Sequence, residues 1–406
     1  MRRGHFLFLG FLTLTAGTAA GQQRLGPVTR QQAIEVALTR GPRLGLALAD
    51  TFSAYAQTLS ARALLNPALA ASYSKSAPQY HVSLDLPFDY PWLRQSRIQS
   101  AGAFRVAAQY RYQFERAAIQ LDADTAYTSA LASRAHARLS HRTAEDADSL
   151  RRMALARRDA GDASDLEVEF ATVYAGRLVN VAANDSLAFI ASLLDLQAAM
   201  GLTPDQVAID LGDSLAPPPL VPADTVSRPP LLIAAAEAMV TAADLAVQVQ
   251  RRSVWGSPTL TAGFDTRDPS GAEPGLLPTV GLSLPLPLLN RNQGLIAQAE
   301  AESARARAEL VLTRRETQAR IARAIRERDF AFARIARDRA LVESARRVEA
   351  MSLTAYREGA SSLASVLEAQ RNAREVVGQY IDDLASGWNA SAMLRALITP
   401  SASPSP

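Results

Sequence analysis

The chain contains no cysteine. That excludes disulfides, zinc–thiolate centres, cysteine nucleophiles and a lipid-modified N-terminal cysteine. Aromatic residues are scarce, at 6% of 406 positions. Beside abundant Ala, Leu and Arg, this scarcity favours long helices over a compact enzyme. Charge of one sign is lacking too: 43 basic and 40 acidic residues leave a formal net charge of +3. The charges interleave rather than cluster, which argues against a nucleic acid partner. The apolar share is an ordinary 48%, so global disorder is not expected. Beyond the N-terminus there is no run of about 18 apolar residues, and no membrane-spanning helix is expected.

What is present begins with a targeting segment. Arg2 and Arg3 precede an apolar stretch from Phe6 to Leu14, followed by small residues from Ala16 to Gly21. Residues 1–21 read as a signal peptide, cleaved near Ala20 or Gly21. The mature chain is expected to be exported. Any membrane role then has to come from β-strands or from a partner.

The chain also repeats itself. Val82-Ser83-Leu84-Asp85-Leu86-Pro87 matches Val280-Gly281-Leu282-Ser283-Leu284-Pro285, 198 residues later (82 to 280). Arg158-Asp159-Ala160-Gly161-Asp162-Ala163-Ser164 matches Tyr356-Arg357-Glu358-Gly359-Ala360-Ser361-Ser362 at the same offset (161 to 359). Pro67-Ala68-Leu69 matches Pro258-Thr259-Leu260 at an offset of 191 (67 to 258), so copy two carries seven extra residues. These fall between Asp265 and Leu277, where Asp268-Pro269-Ser270-Gly271 is turn chemistry. A period of this size marks a duplicated domain rather than a solenoid. The division is 22–211 for the first repeat, 212–230 for a proline-rich linker, 231–398 for the second repeat and 399–406 for a disordered tail.

Each copy has the same order of elements. In copy one, helices are expected at 30–40, capped by Thr29, and at 43–65 after the Gly41-Pro42 break. Strands follow at 69–75 and 80–86. A proline-free helix then runs from about 92 to 160, on the order of 100 Å at ~1.5 Å per residue. Gly161 ends it, and Ser164 or Asp165 caps the next helix, to about 200. Copy two reads as a helix at 231–252, strands at 258–264 and 279–285, a long helix at 293–358, and a last helix at 362–397 after Gly359. Ile321, Ile325, Phe332, Ile335 and Val342 form a heptad seam, with Arg328 and Arg339 as charged seam positions.

No catalytic constellation is found, and neither an enzyme nor a cofactor or metal site is expected. His136 and His141 are five apart on a helix and point to different faces, whereas a metal pair wants three or four. They read, with His81, as surface histidines. Glu145, Asp146 and Asp148 read as a solvated helix face. The strands carry the membrane signal. Val82, Leu84 and Leu86 lie on one face, Ser83 and Asp85 on the other. Tyr73, Tyr80, Phe88, Tyr90, Trp92, Trp255 and Phe264 lie in or near the strands, as in the aromatic girdles of a barrel. A small soluble sheet with core aromatics is the competing reading. Four strands cannot close a membrane barrel, so spanning strands require several chains to share one.

The duplicated plan resembles the TolC-like outer membrane efflux protein family. The likeness is carried by Gly41-Pro42, Pro67 and Pro258, by the run Leu282-Ser283-Leu284-Pro285-Leu286-Pro287, and by the two glycine turns, Ala160 to Ser164 and Tyr356 to Leu363. It covers roughly residues 28–398. The run from Pro285 to Gly294 is most similar to the cobalt–zinc–cadmium efflux branch. The resemblance implies a mainly α fold with a membrane β-barrel, in which a homotrimer builds twelve strands over an α-helical tunnel. It implies an outer-membrane location reaching into the periplasm, contact with outer-membrane lipid, and two partners: an inner-membrane pump and a periplasmic adaptor protein. The chain would be a passive export duct, with protein or peptide secretion as the neighbouring role. A periplasmic coiled-coil structural protein without a barrel is the reading from another class. By the same resemblance Gly161 and Gly359, with Tyr356, mark the periplasmic tip. The family's acid six residues after each glycine falls on Glu167 and Ser365, and its further tip acid falls on Glu368, at the constriction.

Overall fold

The computed structural model describes residues 26–76, 78–203, 209–219, 229–266 and 275–399. The signal peptide, the turn at 268–271, linker residues 220–228 and the tail from 400 onward lie outside the described residues.

Copy one opens with α1 (Arg30–Arg40). Thr29 caps it in a full capping box with Gln32, which satisfies two end donors reciprocally. Pro42 occupies the first turn of α2 (Pro42–Arg62), where its missing N–H costs nothing. The expected end near 65 is three residues too late. Ala63 is already extended, ahead of Asn66-Pro67, and Arg94 Nη2 donates to the terminal carbonyl of Arg62 at 2.9 Å. Strands β1 (Ala68–Tyr73) and β2 (Tyr80–Pro87) follow. Then come α3 (Pro91–Asp159), 69 residues long, and α4 (Asp165–Ala199). Copy two supplies α5 (Leu231–Arg252), β3 (Thr259–Thr266), β4 (Leu277–Ser283), α6 (Gln293–Arg357) and α7 (Leu363–Ile398). β4 ends two residues short of the expected 285, since Pro285 has no N–H to give a ladder.

The two hairpins join through β2 and β3 into one antiparallel sheet in the order β1-β2-β3-β4. Residues directly opposite each other share a face, so the register sorts the side chains. Leu69, Leu84, Ala262 and Val280 fall in one row, and Leu86, Leu260 and Leu282 in the next. The opposite face carries Ser83 beside Gly263 and Thr279, and Asp85 beside Thr261. There Thr261 Oγ1 donates to Asp85 at 2.7 Å, and His81 Nδ1 lies 2.9 Å from Asp265. The sheet is thus apolar on one side and polar, hydrogen-bonded on the other.

The helices pack side by side into a wall. In its upper part, next to the sheet, α2, α3, α5 and α6 pack in that order; below, the order is α4, α3, α7, α6. α2 and α4 therefore form one edge of the wall and α6 the other. The buried stripe of α6 is centred on Ala324, Ala331, Ile335 and Val342. Ile321, Ile325 and Phe332 flank it, half-buried. Arg328 does lie in the stripe, but Arg339 is exposed, because Asp338 takes the seam position instead. The seam is set by small alanines, which let helices approach closely, more than by the larger residues.

Two further expectations change. α4 and α5 are, by length and composition, apolar enough to cross a membrane. A few interspersed polar residues hide these stretches from a search for unbroken apolar runs. Both helices are built into the wall, α4 along α3 and α5 between α3 and α6. The histidines of α3 bridge helices rather than stand free. His136 Nε2 lies 2.8 Å from Asp382 of α7, and His141 Nε2 lies 3.0 Å from Ser186 of α4.

Midway along the wall, α1 and residues 209–219 strap one face. Val28 bridges to Leu211 beside them. Trp388 Nε1 donates to Ala216 O at 2.7 Å, and Tyr127 OH donates to Val28 O at 2.8 Å. Burial pushes the Tyr127 phenol up to about 12.

Candidate functional site

Two places in the chain combine unusual geometry with unpartnered groups: the paired helix turns at the far end of the wall, and the sheet.

The turns are built identically in both copies. Gly161 (φ +87°) and Gly359 (φ +76°) adopt the left-handed conformation that glycine reaches without a Cβ penalty. Gly161 N–H donates to Arg158 O at 2.9 Å and Asp162 N–H to Arg157 O at 2.8 Å; Gly359 N–H donates to Tyr356 O at 3.1 Å and Ala360 N–H to Ala355 O at 2.8 Å. This double bond pattern is the Schellman closure of a helix. The next helix starts at once in each case. Ser164 accepts from Glu167 N–H at 3.3 Å, and Ser362 from Ser365 N–H at 3.4 Å. Ser164, not Asp165, is the cap.

The two turns lie side by side. Leu150, Ala154, Val168, Ala171, Tyr356, Leu363 and Val366 form one apolar cluster between them. Tyr356 is its largest member, 0% exposed. The Arg157 guanidinium sits 4.6 Å from the centre of the Tyr356 ring, and its Nη1 donates to Tyr356 O at 3.1 Å. Tyr356 OH and Glu167 Oε2 are both buried without a hydrogen-bond partner. Burial, and then the Glu167 charge, raise the Tyr356 phenol above its ordinary value, against the pull of Arg157.

Among the residues singled out from the sequence, the fold thus brings Gly161, Gly359, Tyr356 and Glu167 together. Ser365 and Glu368 remain outside this core, exposed on α7. Ser365 Oγ donates to Ser362 O at 2.7 Å and is spent on the helix start. Sequence reading missed Arg157. Its repeat mate is Ala355, so the offset gave no signal; the only hint was a basic pair, Arg157-Arg158, at a helix C-terminus.

Gly359→Val should strain the turn by about 1–3 kcal/mol, since a β-branched residue tolerates positive φ poorly. The open space around Gly161 and Gly359 means the strain stays local. The Gly359→Val protein should melt earlier while keeping its helical content. An unchanged melting midpoint would show that this turn does not need glycine.

The sheet offers the second feature. Aromatic residues lie at both its ends. Tyr73 and Tyr80, 5.4 Å apart between ring centres, sit with Phe264 towards the β1–β2 turn. Tyr90 and Trp92, stacked at 4.6 Å, lie with Phe88 and Trp255 at the helix end. Strands of 6 to 8 residues run roughly 20–26 Å along their own length at ~3.3 Å each, one to five residues fewer than the ~9–11 of a tilted spanning strand. Among the described residues, β1 and β4 have no strand on their outer edges.

Comparison with known proteins agrees with this geometry. Residues 228–399 match the family model described as outer membrane efflux protein. No curated protein sequence matches the chain. The outer membrane protein VceC from Vibrio cholerae superimposes with a TM-score of 0.76 at 18% identity, covering 91% of this chain and 96% of that one. The Campylobacter jejuni CmeC outer membrane channel gives 0.76 at 14% identity, covering 98% and 94%. The open state of the Neisseria gonorrhoeae MtrE outer membrane channel gives 0.74 at 15%, covering 91% and 89%. The fold is that of the TolC-like channels. The second half of the chain carries the sequence signature of the outer membrane efflux protein family.

Proposed function

We propose that the chain is one third of an outer-membrane efflux duct. Three copies would join β4 of one chain to β1 of the next, closing twelve strands with the apolar face towards lipid and the polar face towards the bore. The observation that carries this reading is the two-faced sheet with two open edges. Lipid offers backbone groups no hydrogen bonds, so such a sheet can span only when closed.

The helical wall supports the same arrangement. Its edges expose large apolar side chains: Leu46 and Phe52 on α2, Leu166, Phe170 and Val173 on α4, and Phe330, Leu341 and Met351 on α6. Opposite edges with different residues make a head-to-tail contact, which closes a ring. The wall would then become a tunnel through the periplasm, ending at the glycine turns. There a periplasmic adaptor protein would connect it to an inner-membrane pump. No catalytic cycle belongs to the chain; the pump would supply the energy.

Threefold symmetry would set three Glu368 carboxylates around the lower mouth. Low-dielectric walls focus their field, and such rings favour cations. The cargo would include cations, and heavy-metal cations among them on the resemblance of the Pro285 to Gly294 run. In planar-bilayer recordings, Glu368→Ala should weaken both cation preference and block by multivalent cations while the trimer stays intact. Unchanged selectivity and block would leave Glu368 an ordinary surface acid.

A further inference from the structure

A groove over α7 holds more basic than acidic side chains among the described residues. It encloses about 410 Å³ between α3, α6 and α7, just below the strap of residues 209–219. Arg134, Arg138 and Arg142 project into it from α3 at successive four-residue steps, so they share one helix face. Arg346 of α6 and Arg374 of α7 complete the set. Arg134 is already engaged, donating through Nη1 to Leu211 O at 2.7 Å and through Nη2 to Asp213 O. The other four make no hydrogen bond or ion pair among the described residues.

Arginines elsewhere on these helices behave differently. Arg305 pairs with Glu309, Arg314 with Glu237 and Arg334 with Asp383. In the groove the only carboxylates are Asp146 and Glu349. Five cations therefore face two acids. Burial, and then the charge of Arg138, hold the Arg134 guanidinium below its ordinary pKa. Like charges four residues apart on a helix are destabilising unless something compensates them.

The remaining lining defines what could compensate them. Leu131, Leu139, Val377 and Ile381 give an apolar floor, and Thr143 and Ser214 add hydroxyls. The volume lies within the range of small-molecule sites, ~300–1,000 Å³. Guanidinium forks match carboxylate and phosphate oxygens in pairs. We propose that this groove binds a small organic or inorganic polyanion, carboxylate or phosphate in character, one per chain. α7 lies inside the wall rather than at its edge, so a neighbouring copy would not cover the groove. The groove shares its face with α1 and the strap. Three copies of those elements would obstruct a bore, so this face is the outer one, open to the periplasm. The lining residues all belong to one chain, and only the exposure of this face to the periplasm rests on the duct reading, so binding measured on the purified chain fails separately from that reading.

The test is calorimetric titration of the purified full chain in detergent with citrate and, separately, with pyrophosphate. The expected result is saturable binding, one per chain, weakening at least tenfold between low and high salt. Arg138→Gln/Arg374→Gln should weaken it at least tenfold with an unchanged melting midpoint, while Arg305→Gln, far along α6, should leave it unchanged. If the double variant melts early, Arg346→Gln carries the same expectation from a separate helix. Binding of citrate alone identifies a carboxylate ligand, and of pyrophosphate alone a phosphate. No saturable binding of either probe, or full binding by the arginine variants, overturns the proposal.

Discussion

Asp124→Ala should destabilise the chain by about 3–5 kcal/mol, the range for breaking a buried ion pair from one side. The Asp124 side chain is 7% exposed and serves two cations. Arg30 of α1 pairs with Oδ1, and Arg395 of α7 reaches Oδ2 at 2.7 Å. Arg30 also donates to Thr128 Oγ1 at 2.8 Å and lies 3.9 Å from the Trp388 ring centre. One carboxylate thus fastens α1, α3 and α7 where the strap crosses the wall. Without it, the largely buried Arg30 and the part-exposed Arg395 would face each other with no shared counter-charge. Asp124→Asn should cost less, since an amide oxygen still accepts. Urea titration of the helical signal measures the effect. A loss under 1 kcal/mol for the alanine variant would mean that the surrounding contacts hold the strap alone.

Leu84→Arg should cost roughly 2–4 kcal/mol, the penalty for a basic residue near the middle of a barrel's lipid face. Leu84 lies centrally in the apolar row with Leu69, Ala262 and Val280. Its neighbour Asp85 points the other way, where Thr261 donates to it. A basic residue at Ser83, on the polar face, should be tolerated. Folding into lipid vesicles distinguishes the two. Equal penalties at 83 and 84 would deny the sheet a lipid side.

The helices were legible because their signals are local. Thr29, Pro42, Gly161 and Gly359 mark ends by backbone chemistry that tertiary packing does not override. The alternation Val82-Ser83-Leu84-Asp85-Leu86 likewise fixes faces by period alone. The pairing of β2 with β3 was not legible, because it joins segments some 180 residues apart through backbone groups that every residue has. The buried stripe of α6 was misjudged in part. Ala324 and Ala331 outrank the larger Phe332 because close helix approach selects small residues. Arg157 was invisible for a related reason: its partner Tyr356 comes from the other repeat, and only the folded turns bring them together.

The account centres on a barrel whose β1–β2 turn lies outside the cell while the helices lie in the periplasm. Lys75, exposed in that turn, is the only lysine in the chain; the other 42 basic residues are arginine. A membrane-impermeant amine reagent therefore reports on one side chain, and Lys75→Arg separates it from the chain's α-amino group. The account predicts labelling of intact cells that Lys75→Arg abolishes. Labelling that depends on Lys75 but appears only after the outer membrane is permeabilised would place the turn inside and contradict the barrel.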